Sequence, residues 1–115
     1  MGRLTTHVLD TAHGCPGAGI AVRLYADDQP APVAQARTNA DGRCDAPLLT
    51  GAAMKPGRYV LEFDAGAYFR SLGVKLAEPP FLDVVRIAFG IADADADYHV
   101  PLLLSPFGYS TYRGS

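Results

Sequence analysis

The chain has 115 residues, 49% of them hydrophobic, which is enough for one core and leaves no room for a second domain; one domain over residues 1–115 is expected. The formal charge is −2 and the basic residues are scattered, which argues against nucleic acid or an anionic membrane as a partner. No apolar run approaches the ~20 residues of a bilayer span, and the start lacks the apolar stretch of a secretory signal, so a cytoplasmic protein is expected.

Along the chain, short blocks alternate apolar and polar residues at period two between Gly, Pro and Asp, the pattern of an all-β sandwich or barrel. Residues 4–10 form the first predicted strand. The glycine-rich Gly14-Cys15-Pro16-Gly17-Ala18-Gly19 has the wrong order for a dinucleotide fingerprint and a proline inside it, so it reads as a loop. Residues 20–26 place Ile20, Val22 and Leu24 on one face, with Arg23 and Tyr25 on the other. Residues 33–38 follow, and then Asn39-Ala40-Asp41-Gly42, a turn built from residues that tolerate positive φ. Residues 43–48 read as a short strand. After Pro56-Gly57, residues 58–64 set Tyr59, Leu61 and Phe63 on one face.

Residues 65–72 are the helix candidate, closed by Gly73 in the favoured position past a helix end. Residues 84–91 alternate Val85, Ile87, Phe89 and Ile91 against Val84, Arg86 and Ala88. Asp93-Ala94-Asp95-Ala96-Asp97 begins like a calcium loop, but Tyr98 stands where that loop needs glycine, so a solvated acidic turn is expected. Residues 98–104 and 109–113 complete roughly eight strands and one helix. The final segment is dense in Tyr and Arg, and such a terminus is expected to be tied down in the fold.

Cys15 and Cys44 are the two cysteines, without C-x-x-C spacing, and read as reduced and structural. Arg43 beside Cys44 would raise its thiolate fraction if the guanidinium lay close. The groups able to titrate near neutrality are His7, His13 and His99. His13 reads as a solvated loop residue. His7 and His99 each interrupt an otherwise apolar strand, where an imidazole must find a partner or face water. Singly, each reads as a satisfied histidine on a sheet face. Together with Arg43 beside a glycine turn they suggest a hydrolytic or anion-binding site, in which an imidazole deprotonates water and a guanidinium holds a planar oxyanion. No ligand pair has metal-site spacing, and no G-x-S-x-G elbow makes a serine the nucleophile, so neither a bound metal nor a nucleophilic serine is expected.

Four stretches resemble the 5-hydroxyisourate hydrolases, the enzymatic branch of the transthyretin-like family. They are Leu4-Thr5-Thr6-His7-Val8-Leu9-Asp10, Thr38-Asn39-Ala40-Asp41-Gly42-Arg43, Tyr98-His99-Val100-Pro101-Leu102-Leu103 and the terminal Tyr112-Arg113-Gly114-Ser115. The resemblance implies a sandwich of two four-stranded sheets with one short helix, and a homotetramer whose sites form where two subunits meet. It implies hydrolytic opening of the six-membered ring of 5-hydroxyisourate in urate breakdown, with water as nucleophile and no cofactor. His7, Arg43, His99 and Ser115 carry over as catalytic positions, and His7, Arg43, Tyr112 and Arg113 as substrate-binding ones. Which histidine is the base stays open. The alternative is a transthyretin-like carrier that holds a small aromatic anion without turning it over, although the carriers look different at these positions and lack the terminal tetrapeptide.

Overall fold

A computed structural model describes residues 2–27 and 29–114. Its strands, in chain order, are β1 (Arg3–Asp10), β2 (Cys15–Pro16), β3 (Ala21–Ala26), β4 (Ala34–Arg37), β5 (Leu49–Thr50), β6 (Gly57–Asp64), β7 (Val84–Ile91), β8 (Tyr98–Ser105) and β9 (Gly108–Thr111), with α1 (Ala65–Ser71) between β6 and β7. One sheet runs β2-β1-β8-β9, with the two-residue β5 added on β1; the other runs β4-β3-β6-β7. The pairing of β1 with β8 is parallel, and every other pairing is antiparallel.

Period-two alternation decides which residues enter the core. Leu4 and Val8 from β1, Val22 and Leu24 from β3, Leu61 and Phe63 from β6, and Leu102 and Leu104 from β8 are fully buried between the sheets. Each such side chain contributes about 1.5–3 kcal/mol by leaving water. The helix lays Tyr68 and Phe69 against this core and ends at Gly73, whose φ of +79° is the left-handed value that stops a helix.

The second sheet carries a charge network made of cross-strand pairs. Arg23 donates to Glu62 at 3.1 Å and to Asp64 at 2.6 Å and 3.1 Å, and Arg86 donates to Glu62 at 2.6 Å. The Arg23 hydrogen bonds hold the Asp64 carboxyl below its ordinary range against the opposing effect of burial.

Three sequence expectations change. Residues 43–48 are not a strand: only Arg43 bridges to His7, and pairing resumes at β5. The glycine-rich loop contains a two-residue ladder, because Cys15 and Pro16 pair with Asp10 and Leu9. His13 is not simply solvated. Its Nδ1 lies 2.7 Å from Asp10, a buried carboxylate that also accepts from Tyr68 Oη at 2.7 Å and from the backbone N–H groups of Ala12 and His13 at 3.0 Å. Burial alone would raise the Asp10 carboxyl, but the bonds from Tyr68 and His13 outweigh it and hold the group below its ordinary value. Asp10 and His13 thus fasten the end of β1 to α1.

Candidate active site

The site is built outward from β1. Burying Leu4, Thr6 and Val8 sends Arg3, Thr5 and His7 to the outer face of the first sheet. The parallel register pairs Thr5 with His99 and His7 with Pro101, so His99 emerges on that same face beside Thr5 and one pleat from His7. Thr6 is turned inward and donates to the Val100 carbonyl at 2.7 Å, which helps fix that register.

Arg43 arrives through the turn at 39–43. Asn39 Oδ1 accepts from the backbone N–H groups of Asp41 at 2.9 Å and Arg43 at 3.2 Å, an Asx arrangement that folds the chain back on itself. Gly42 has φ +76°, and a Cβ there would collide with the Val8 carbonyl, so glycine is required on both counts. The turn docks on β1 through Val8 N–H to the Gly42 carbonyl at 2.8 Å and the His7–Arg43 bridge.

The two imidazoles are held differently. His7 Nε2 lies 2.9 Å from the Asp41 carbonyl oxygen. A carbonyl only accepts, so Nε2 carries the hydrogen and, in the neutral ring, Nδ1 keeps its lone pair. His99 Nδ1 lies 2.8 Å from Thr5 Oγ1, a hydroxyl able to donate or accept. Gly114 backs the His99 ring: its N–H donates to the His99 carbonyl at 2.8 Å, and a Cβ at 114 would stand 2.6 Å from His99 Cδ2. Burial first, then the charges of Arg43 and His7, push the His99 pKa below the ordinary 6.5. His99 is therefore neutral at pH 7.

An open cavity of about 510 Å³ is lined by Arg3, Thr5, Arg43, Asp97 and His99, together with the segment after Arg43. Among the described residues no carboxylate forms an ion pair with Arg43. The nearby carboxylates are engaged elsewhere: Asp45 accepts from Asn39 Nδ2 at 2.9 Å and Asp97 from the Arg3 backbone N–H at 3.2 Å. No group of three metal-ligating side chains is present among the described residues.

Of the residues anticipated from sequence, Arg43 and His99 line this cavity, and His7, bridged to Arg43, holds the neighbouring position of the same sheet face. Tyr112 and Arg113 do not line it. Tyr112 is 61% exposed, while Arg113 stacks its guanidinium 4.1 Å from the centre of the Tyr98 ring and donates to the Asp97 carbonyl at 3.1 Å. That stacking ties the terminal segment to β8. Ser115 lies outside the described residues. Burial, then the charge of Asp45, pushes the Cys44 thiol above its ordinary value, so the adjacent Arg43 does not make it a thiolate. Both cysteines are unbridged.

Sequence reasoning passed over Thr5, the Asp41 carbonyl and Gly114. The first had a signal, since Thr5 shares the period-two face of His7. The other two act through backbone atoms, which no residue type announces. A neutral imidazole beside a guanidinium that no carboxylate among the described residues pairs, on an open cavity, can activate water and hold a developing oxyanion, the requirements of hydrolysis at an acyl carbon.

Comparison with known proteins agrees with this chemistry. Residues 4–114 match the family described as HIUase/Transthyretin. The chain is 61% identical over 117 residues to a 5-hydroxyisourate hydrolase of Pseudomonas aeruginosa, covering 100% of this chain and 93% of that one. Among solved structures, it superposes with a TM-score of 0.94 and 44% identity on an (S)-allantoin synthase, covering 99% of this chain and 44% of that longer one. It superposes with a TM-score of 0.84 and 36% identity on the Klebsiella pneumoniae 5-hydroxyisourate hydrolase, covering 100% of both.

Proposed function

The chain belongs to the HIUase/transthyretin family, and from that premise we infer that it is a hydrolase that opens the six-membered ring of 5-hydroxyisourate, a step of urate degradation. The observation that carries the reading is the placement on one cavity of neutral His99 and of Arg43, which pairs with no carboxylate among the described residues.

In the proposed mechanism the substrate enters with its carbonyl oxygens toward Arg43, whose planar donors suit such an anion. An imidazole takes a proton from water as the water oxygen bonds to the acyl carbon. Negative charge develops on the carbonyl oxygen, where the guanidinium stabilises it. The C–N bond then breaks and the leaving nitrogen receives the proton. His99, already neutral and facing this cavity, is the base; His7, with its Nε2 hydrogen committed to Asp41, orients substrate or water through Nδ1. Tyr112, Arg113 and Ser115 are proposed to complete the pocket from the terminal segment.

The protein is further proposed to act as one domain over residues 1–115, in the cytoplasm, as a homotetramer with sites completed between subunits. The openness of the cavity supports the last point, as do Phe81 and Phe107, exposed to 74% and 76% and only 6.4 Å apart. The test of function is to add the protein to freshly generated 5-hydroxyisourate and follow its ultraviolet decay. Acceleration over the spontaneous rate is expected; an unchanged rate from mildly acidic to mildly basic pH would leave a non-catalytic binding protein.

A further inference from the structure

Thr5 stands out because it is a small hydroxyl in register with a histidine on a cavity wall, and its one described side-chain hydrogen bond goes to that histidine. The contact is 2.8 Å, to Nδ1, and it leaves Nε2 without a partner among the described residues. On the far edge of the ring, Gly114 closes against Cδ2. The imidazole is thus held between a hydroxyl on one side and a backbone on the other, with its second nitrogen left for a ligand.

The kind of partner matters. A carbonyl, as at His7, fixes one tautomer. A carboxylate would favour the imidazolium and raise the pKa. A hydroxyl fixes no single tautomer and favours the imidazolium far less than a carboxylate does: it donates to Nδ1 when Nε2 carries the hydrogen, and accepts from Nδ1–H when Nε2 is the lone pair or when the ring is protonated. We propose that Thr5 is a positioning residue for His99, aiming its Nε2 into the cavity and following the ring through each protonation state that a proton-transferring imidazole must visit. This rests on the reading of the cavity as the site of ring opening. It adds a reason that His99, and not His7, is the histidine that changes protonation during turnover.

Among the described residues the charged groups around the ring are Arg43 and His7, with Arg3, Asp45 and Asp97 lining the same cavity and Arg113 on the terminal segment. Thr5→Val alters none of them. It keeps the branched shape that a strand favours and removes only the hydroxyl.

The experiment compares wild type, Thr5→Val and Thr5→Ser in three readouts: kcat and KM for 5-hydroxyisourate, the pH profile of kcat/KM, and ¹⁵N spectra of the His99 ring. Thr5→Val is expected to lower kcat about tenfold with KM nearly unchanged, the loss of one hydrogen bond that positions a reacting group. Its acid limb should move to lower pH, because a hydrogen bond from the charged imidazolium is the stronger one and its loss disfavours the protonated ring. The His99 Nδ1 signal should shift, and Thr5→Ser should restore all three. Wild-type kcat, acid limb and ring spectrum in Thr5→Val would overturn the proposal while leaving the site intact. Equal losses in Thr5→Val and Thr5→Ser, with lowered thermal stability, would also overturn it in favour of a packing role. The spectra report the Thr5–His99 contact in the absence of substrate, so a protein that shows the shift and yet opens no ring contradicts the functional reading and not the contact.

Discussion

The two sheets of this sandwich each present arginines and partners on an outer face, and they use them in opposite ways. On the second sheet Arg23 and Arg86 meet Glu62 and Asp64 directly across neighbouring strands, so each guanidinium is neutralised by carboxylates. On the first sheet Arg43 stands beside His7 and near His99 with no carboxylate paired to it among the described residues. The same side-chain chemistry is a fastening in one place and a receptor in the other. What separates them is whether the fold supplies the counter-charge or leaves it to the ligand. Asp10 and His13 make the same point with a histidine, since there a buried carboxylate supplies the imidazole with its partner and the pair fastens β1 to α1.

If that contrast is right, changes on the first face should remove turnover and spare stability, and changes on the second should do the reverse. The largest effect is expected from His99→Asn, which should lower kcat by about 10²–10⁴-fold, the usual weight of a general base. Its melting temperature should stay near wild type, because the ring is only half-buried. A small kinetic loss in a folded His99→Asn protein would move the base to His7.

Arg43→Lys comes next. It keeps the charge but not the planar pair of donors, and about 1–3 kcal/mol of transition-state binding should go with them, read as a fall in kcat/KM. Kinetics equal to wild type would remove Arg43 from the site. Gly114→Ala tests the same face by geometry alone: the added methyl meets His99 Cδ2 at 2.6 Å, and turning the ring away should cost up to about 10²-fold in kcat with substrate still bound. Normal turnover would show that the terminal segment yields without moving the ring.

The smallest effect belongs to the other face. Glu62→Gln weakens the bonds from Arg23 and Arg86 while Arg23 keeps Asp64, so unfolding free energy should drop by about 1 kcal/mol with kcat/KM unchanged. A kinetic loss there would blur the distinction between the two faces.

Much of this architecture is legible in the sequence, and the failures have physical causes. The alternation of Ile20, Val22 and Leu24, or of Tyr59, Leu61 and Phe63, announces strands because burial on one face dictates residue type at period two. Gly73 marks the helix end for an equally local reason. Residues 43–48 misled because an apolar pattern does not say whether a partner strand lies opposite, and here only Arg43 finds one. The partner of His13 was hidden because Asp10 sits in a strand and Tyr68 in a helix, joined only by tertiary structure. His7, Arg43 and His99 were nameable from their motifs. That Thr5 would stand beside His99 follows from the parallel register of β1 and β8, a pairing between residues 94 positions apart that no local signal encodes.

The pH dependence of kcat/KM for 5-hydroxyisourate tests the central claim most directly. Burial and the neighbouring positive charges hold the His99 pKa below 6.5, so the ring is neutral above that value and gains its proton only as pH falls further. The account predicts a plateau through neutrality and an acid limb whose midpoint lies below 6.5. An acid limb centred above 6.5, or none at all down to the pH at which the protein unfolds, would contradict it.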